Sequence, residues 1–302
     1  MTHSRPAIVT LILHAVLASL LFVLGTVLFG MFASALHIQM PVFDAHGVSQ
    51  AKQFLLLLLS SLFLGFGLLP LARRLAGGYL ARFFALAVFL FLAFAVNTVI
   101  EATIFTNNIS RAAALNLACS FLLPTILSTL YLARFAEPGL GPAAISEFFS
   151  RRSFASWLWR LPLAVLAFPV IYFLFGIIVA PIVTPYYNSG IAGLVIPPPQ
   201  VILATQVFRG FLFLLAVLPV LVLSRRSRPS LFLWLGLALW FVVGLFGLAS
   251  NAVFPPVLRV VHSLEIGADS FTHATVLVFL LVPRPAQTTV SRAAQGAQQL
   301  PA

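Results

Sequence analysis

Residues 54–72 read FLLLLLSSLFLGFGLLPLA and are followed directly by Arg73 and Arg74. An α-helix needs about 20 mostly apolar residues to cross the hydrocarbon core of a bilayer, and no charged side chain interrupts this run. Backbone polar groups in lipid must be hydrogen-bonded within the segment, so such a run is helical unless it closes a β-barrel. Barrel strands alternate polar and apolar residues, and this run does not. The stretch predicts a transmembrane helix.

The same character extends over the whole chain. Of its 302 residues, 61% are hydrophobic and 8% are charged, whereas a soluble domain is about a quarter charged. A net charge of +11 would suggest nucleic acid in a soluble protein, but here the arginines stand at the ends of apolar runs and form no separate basic domain. We therefore expect membrane lipids as surroundings and no nucleic-acid partner.

Eight runs are long and apolar enough to span a bilayer, which predicts an all-α, polytopic transmembrane helical bundle of about eight transmembrane helices. The first run exceeds the apolar core of about 7–15 residues in a signal peptide, so we expect an uncleaved span. The predicted spans lie near 7–36, 54–72, 80–105, 109–133, 161–181, 201–223, 230–250 and 256–283.

Arginines mark alternate connections between these runs, whereas the other connections hold little beyond Lys52 and Arg111. Positive residues concentrate on the cytoplasmic side of membrane proteins. We therefore expect both termini to be cytoplasmic, the 182–200 loop to be external, and the protein to lie in the inner (plasma) membrane of a bacterial-type cell. The marker residues are Arg5; Arg73, Arg74 and Arg82; Arg134, Arg151, Arg152 and Arg160; Arg225, Arg226 and Arg228; and Arg284 and Arg292.

Three segments lie outside the predicted spans. Segment 143–160 mixes aromatic residues with arginines, which suits either a cytoplasmic helix lying in the membrane interface or a plain loop. Segment 182–200 contains TPYYNSG and IPPPQ, whose prolines favour an extended path that does not continue a helix. The polar tail 284–302 is predicted to be disordered and cytoplasmic.

The two halves of the chain share a faint pattern at an offset of about 150 residues. FVLG at 22–25 resembles FLFG at 173–176, and LLPLARR at 68–74 resembles VLPVLVLSRR at 217–226. Four spans per unit would give both units the same orientation, so residues 1–142 and 161–283 are predicted to be tandem parallel four-helix repeats. The alternative is that any two apolar segments punctuated by arginine can be aligned.

Charged and polar residues inside the spans are the candidates for function, because an ionised group is costly in hydrocarbon. The last run carries such residues three or four positions apart, predicting one helix face. Glu101 follows Asn97 by one turn, and Arg209 precedes Gly210, which permits close helix approach. We expect a cluster in the outer half of the membrane. The candidate site residues are Asn97, Glu101, Arg209, Arg259, His262, Glu265, Asp269 and His273.

Two interpretations of this cluster remain open. Arg209 and Arg259 can pair with Glu101 and Glu265 to fix helix packing without any ligand. Alternatively, the cluster is a substrate or proton site. The His and acidic spacing of the last run lacks a specific signature such as HExxH, so no metal is predicted, and no cofactor is identified. The single cysteine, Cys119, excludes an internal disulfide.

The leading functional hypothesis is a transporter-like protein for a small solute or ion. One rival is a membrane-embedded enzyme acting on a lipid or isoprenoid, with Glu101, His262 and Glu265 as acid/base groups or metal ligands. A second rival is a non-catalytic assembly partner. No GxSxG, SxxK, Walker A or GxGxxG pattern occurs in a suitable context, so hydrolysis of an ester or a nucleotide has no visible machinery.

Overall fold

The computed structural model describes residues 8–40, 48–107, 109–136, 145–224 and 227–283. Within these ranges the regular structure is helical, apart from two isolated bridges, Leu75 to Ser224 and Thr106 to Leu194. Eight helices are long and apolar enough to cross a membrane, which confirms the predicted polytopic helical bundle. Spans 1 to 8 are Ile8–Ala35, Gln50–Ala72, Tyr79–Phe105, Arg111–Leu132, Phe154–Asn188, Pro199–Leu223, Arg228–Ser250 and Pro256–Leu281.

Span 5 is much longer than the predicted 161–181, because it runs for 35 residues. It begins one residue after Ser153, whose side chain accepts a hydrogen bond from the Ser156 backbone N–H. Four prolines lie inside it without ending it. A proline removes one backbone hydrogen bond, and neighbouring helices make this tolerable in a membrane.

Two predicted connections are therefore partly wrong. Residues 154–160 belong to span 5, and the described remainder of segment 143–160 contains a short helix, Ile145–Ser150. At the other end, the helix continues through TPYYN to Asn188. After a turn at Ser189 and Gly190 and a single 3-10 turn, residues 194–198, which include two prolines, take the extended path expected for the external loop.

Three spans contain irregular turns that the apolar pattern does not predict. Span 3 passes through a π-helical segment, Phe91–Val96, and span 7 through another, Trp240–Phe246. Span 4 breaks at Phe121, three residues before Pro124. Proline in the first turn of a helix is favourable because its missing N–H would have no intrahelical partner there.

The spans of the two halves pack in a corresponding manner. Span 1 packs on spans 2 and 4, and span 5 packs on spans 6 and 8. Between the halves, span 2 packs on span 7 and span 3 on span 6, while the two π-helical segments meet. The halves are thus joined through their second and third helices.

Aromatic rings pack together in the core of the bundle. Phe22, Phe94 and Phe246 are at most 4% exposed. Their ring centroids lie 4.7–6.4 Å apart in edge-on arrangements. Edge-to-face pairs of this kind are favourable beyond the area they bury.

Gly210 fixes the distance between spans 5 and 6. A Cβ atom at this position would lie 2.2 Å from the Val165 carbonyl oxygen. Only glycine permits such an approach between two helix backbones. Because Arg209 precedes Gly210, this close contact seats Arg209 against span 5.

Some predictions fall outside the described residues. They concern Arg5, Arg225, Arg226, Arg284, Arg292 and the tail 284–302.

Candidate functional site

The Arg209 guanidinium is held by three acceptors inside the bundle. Its Nε donates to Asn97 Oδ1 at 2.8 Å, its Nη1 to Gln206 Oε1 at 2.8 Å, and its Nη2 to Glu101 Oε1 at 2.5 Å. The Arg209 side chain is 5% exposed, whereas that of Glu101 is 40% exposed. The predicted contact between Glu101 and Arg209 is therefore present.

Helix geometry explains why these groups converge. Asn97 and Glu101 are four residues apart and Gln206 and Arg209 three, so each pair shares a helix face. Asn97 follows directly after the π-helical segment of span 3. A π turn takes up an additional residue and so changes the face that later residues present, and such segments are frequent at functional sites.

Three aromatic rings surround the charged group. The Arg209 guanidinium carbon lies 5.1 Å from the ring centroid of Phe168, 5.7 Å from that of Tyr172 and 5.9 Å from that of Phe213. Guanidinium groups within about 6 Å of an aromatic centroid are attracted by the ring. The rings stabilise the charge away from water.

Span 8 presents the predicted polar residues along one face. His262 Nδ1 and Glu265 Oε2 lie 2.6 Å apart and share a hydrogen bond. One turn further on, Asp269 is 7% exposed, and after another turn His273 is 2% exposed. These four residues are called the span 8 stripe below.

Arg259 does not form the ion pair with Glu265 that the packing interpretation allows. Among the described residues Arg259 makes no ion pair. At about 100° per residue, a position six residues from Glu265 lies about 120° away around the helix. His262, three residues away, takes the place of the predicted partner.

Tyr172 lies near both the residues around Arg209 and the span 8 stripe. It interacts electrostatically with Arg209, Glu101, Glu265 and Asp269. Sequence reasoning missed Tyr172 because a tyrosine in an apolar run carries no distinctive signal. It also missed Gln206, although the TQVFRG stretch places this amide one turn before Arg209.

A small cavity of about 30 Å³ lies between Arg209 and the stripe. It has room for roughly one or two water molecules. Polar groups line it together with aromatic and aliphatic side chains. The polar lining comes from Arg209, Asp269, Ser270 and His273.

Several buried polar atoms in and beside this cavity lack hydrogen-bond partners within the described ranges. They are Asp269 Oδ1, His273 Nε2 and Gln206 Nε2. A buried polar atom left unsatisfied costs about 1–3 kcal/mol. Among the residues that the structure describes, no three His, Cys, Asp or Glu side chains are arranged to hold a metal ion.

No protein-family model, curated protein or solved structure matches the chain. The interpretation of the cluster therefore rests on its chemistry and geometry.

Proposed function

We propose that this polytopic membrane protein is transporter-like and moves a small solute or ion through the cluster around Arg209. The observation that carries the proposal is the cavity lined by Arg209, Asp269 and His273, where Asp269 Oδ1 and His273 Nε2 are buried without hydrogen-bond partners. Intramembrane ionisable groups most often mark substrate or ion pathways.

The charges of the cluster favour a ligand over a purely structural role. Glu101, Glu265 and Asp269 bring three carboxyl groups into electrostatic range of a single guanidinium, that of Arg209. A carboxyl group in hydrocarbon has to be neutralised, either by a proton, by a bound cation or by a basic side chain that pairs with it. A scaffold that served packing alone would pair its charges, as Arg209 and Glu101 are paired.

The position of the cluster suits a transport pathway. Glu101 lies four residues before the end of span 3 and Asp269 thirteen residues after the start of span 8. At about 1.5 Å per residue, these depths are roughly 6 Å and 20 Å from the predicted external ends. Transporter sites commonly lie near the bilayer midplane.

The proposal includes a topology and an architecture. The ends of the spans that carry arginine face the cytoplasm of a cell with a bacterial-type inner membrane. Units 1–142 and 161–283 form parallel repeats. The π-helical segments, which begin at Phe91 and Trp240, support the repeat, because their offset is close to 150 residues.

An enzyme is the second candidate function. The hydrogen bond between His262 and Glu265 favours it, because a carboxyl group that orients an imidazole is a common acid/base arrangement. The substrate would then be a lipid or an isoprenoid that reaches the outer end of span 8.

Flux through proteoliposomes tests the proposal. The full chain would be reconstituted and supplied with small carboxylates, amines and monovalent ions, with flux recorded as current on a supported membrane. We expect flux of at least one compound, its loss in Asp269→Asn, and its retention in Glu147→Gln. Glu147 is a matched control because it lies in the short helix Ile145–Ser150, outside the spans. Flux that survives Asp269→Asn contradicts the assigned site, and lipid turnover without flux favours the enzyme.

A further inference from the structure

We propose that the coupling ion is a proton, which passes along the span 8 stripe to Asp269, and that Arg209 exchanges Glu101 for Asp269 when this proton leaves. The inference rests on the proposed function and names the ion. Asp269 is the group that binds the proton, and His262 and Glu265 are the residues that pass the proton to it.

The stripe has the spacing that proton transfer needs. Its members follow one another at intervals of three or four residues, which is a rise of roughly 4.5–6 Å each. His262 and Glu265 are already joined at 2.6 Å, and either group can hold the proton in that bond. The cavity beside Asp269 has room for a water that contacts the Asp269 carboxyl group and the Arg209 side chain.

Each step conserves protons and charge. The O–H bond of the Glu265 carboxyl breaks, and an O–H bond forms on the Asp269 carboxylate, directly or through one water. Glu265 is left as a carboxylate. It regains its proton from the protonated His262 imidazole, whose side chain is 19% exposed. Hydronium outside restores the imidazolium, so one proton moves inward and Asp269 is the group that gains it.

Arg209 can bind either carboxylate. A guanidinium has five N–H donors, and three are used, on Asn97, Gln206 and Glu101. Arg209 and Asp269 both line the cavity, yet they form no ion pair in this structure. This arrangement fits a protonated Asp269, and its ionised form would attract the free donors.

Glu101 is suited to be the partner that is released. Its side chain is 40% exposed and lies near the predicted external end of span 3, so water can solvate it once Arg209 turns away. An ion pair that loses a half-exposed partner costs less than one that strands a buried charge. The release of Glu101 therefore costs less than the release of a fully buried partner would.

Charged and titratable groups face Asp269 from four spans. Its own helix contributes Glu265 and His273, while spans 3, 5 and 6 contribute Glu101, Tyr172 and Arg209. Span 7 supplies only apolar side chains to the cavity. Asp269 and Arg209 line the same cavity, so a movement of Arg209 changes which carboxylate it can pair with.

The stripe ends inside the bundle. Beyond His273, span 8 continues with Leu277, Val278 and Leu281, which are fully buried. Apolar packing of this kind leaves no polar step toward the arginine-rich ends. In this conformation the proton reaches Asp269 from the external side only.

Infrared difference spectroscopy tests the inference without any solute. Spectra of the purified full chain at acidic and alkaline pH would be subtracted and examined for the carbonyl stretch of a protonated carboxyl. We expect one band to disappear in Asp269→Asn, to shift in frequency in Asp269→Glu, and to remain in Glu147→Gln. If Asp269→Asn does not fold, the shift in Asp269→Glu decides alone. A spectrum unchanged in these Asp269 variants overturns the inference.

The exchange of Glu101 for Asp269 on Arg209 is tested by a second variant, Glu101→Gln. In Glu101→Gln, Arg209 is free to pair with Asp269, so the Asp269 band at a fixed mildly acidic pH should weaken by several-fold. An unchanged or stronger band overturns the exchange. The two proposals fail differently: absence of solute flux with an intact band removes the transporter, and flux with no Asp269 band removes proton coupling.

Discussion

Arg209 Nη2 donates to Glu101 Oε1 at 2.5 Å, and this hydrogen bond joins span 6 to the C-terminal part of span 3. Span 3 belongs to the first half of the chain and span 6 to the second. The contact therefore closes the candidate site across the junction between the halves. Asn97, one turn below Glu101, anchors the same guanidinium at 2.8 Å.

The substitution Arg209→Met should destabilise the protein by about 2 kcal/mol. This is below the 3–5 kcal/mol of a fully buried pair, because Glu101 is 40% exposed. Thermal unfolding in detergent measures the effect. The double variant Arg209→Met with Glu101→Gln should recover part of the loss, and strict additivity of the two single changes would show that the pair is not coupled.

The contact between Glu101 and Arg209 was predictable because ionised groups in hydrocarbon need partners, and few charges exist to supply them. The eight spans were predictable from run length alone. The ends of span 5 were not, because proline in lipid bends a helix without ending it. The partner of Glu265 was not predictable, because two successive spacings of three residues place Arg259 about 120° from Glu265 around the helix.

Gly210→Ala should strongly destabilise the contact between spans 5 and 6. The added Cβ would lie 2.2 Å from a backbone oxygen, that of Val165, and backbone atoms cannot rotate away. Overpacking of this kind costs about 1–3 kcal/mol. Gly30→Ala is the control, since nothing lies within 4 Å of a Cβ at that position. Equal unfolding temperatures for both variants would refute the close contact.

Arg160→Gln should loosen the C-terminal end of span 8. Arg160 Nη1 donates at 2.7 Å to the Leu280 carbonyl oxygen, one of the last carbonyls of the helix. Such carbonyls have no intrahelical partner, so the loss should cost about 1–2 kcal/mol. Hydrogen exchange over residues 277–282 would report the change. Arg151→Gln, whose partner Glu147 lies outside the spans, should leave it unaffected; protection unchanged in Arg160→Gln would contradict the role.

The predicted topology can be tested with single cysteines in a Cys119→Ser background. A membrane-impermeant maleimide applied to intact cells should label Gly190→Cys in the external loop. It should not label Arg151→Cys, because the arginine-rich connections face the cytoplasm. The reverse labelling pattern would invert the orientation of every span.

The most direct test of the central claim is the charge displacement that follows a step to lower external pH, recorded for wild-type and Glu265→Gln proteoliposomes together with their unfolding temperatures. Among the described residues Glu265 pairs with His262 and with no arginine, so the amide should leave the unfolding temperature almost unchanged. The account predicts that the displacement is lost, because the proton path to Asp269 is interrupted. A stable Glu265→Gln protein with a full displacement would contradict the account and reduce the span 8 stripe to a scaffold.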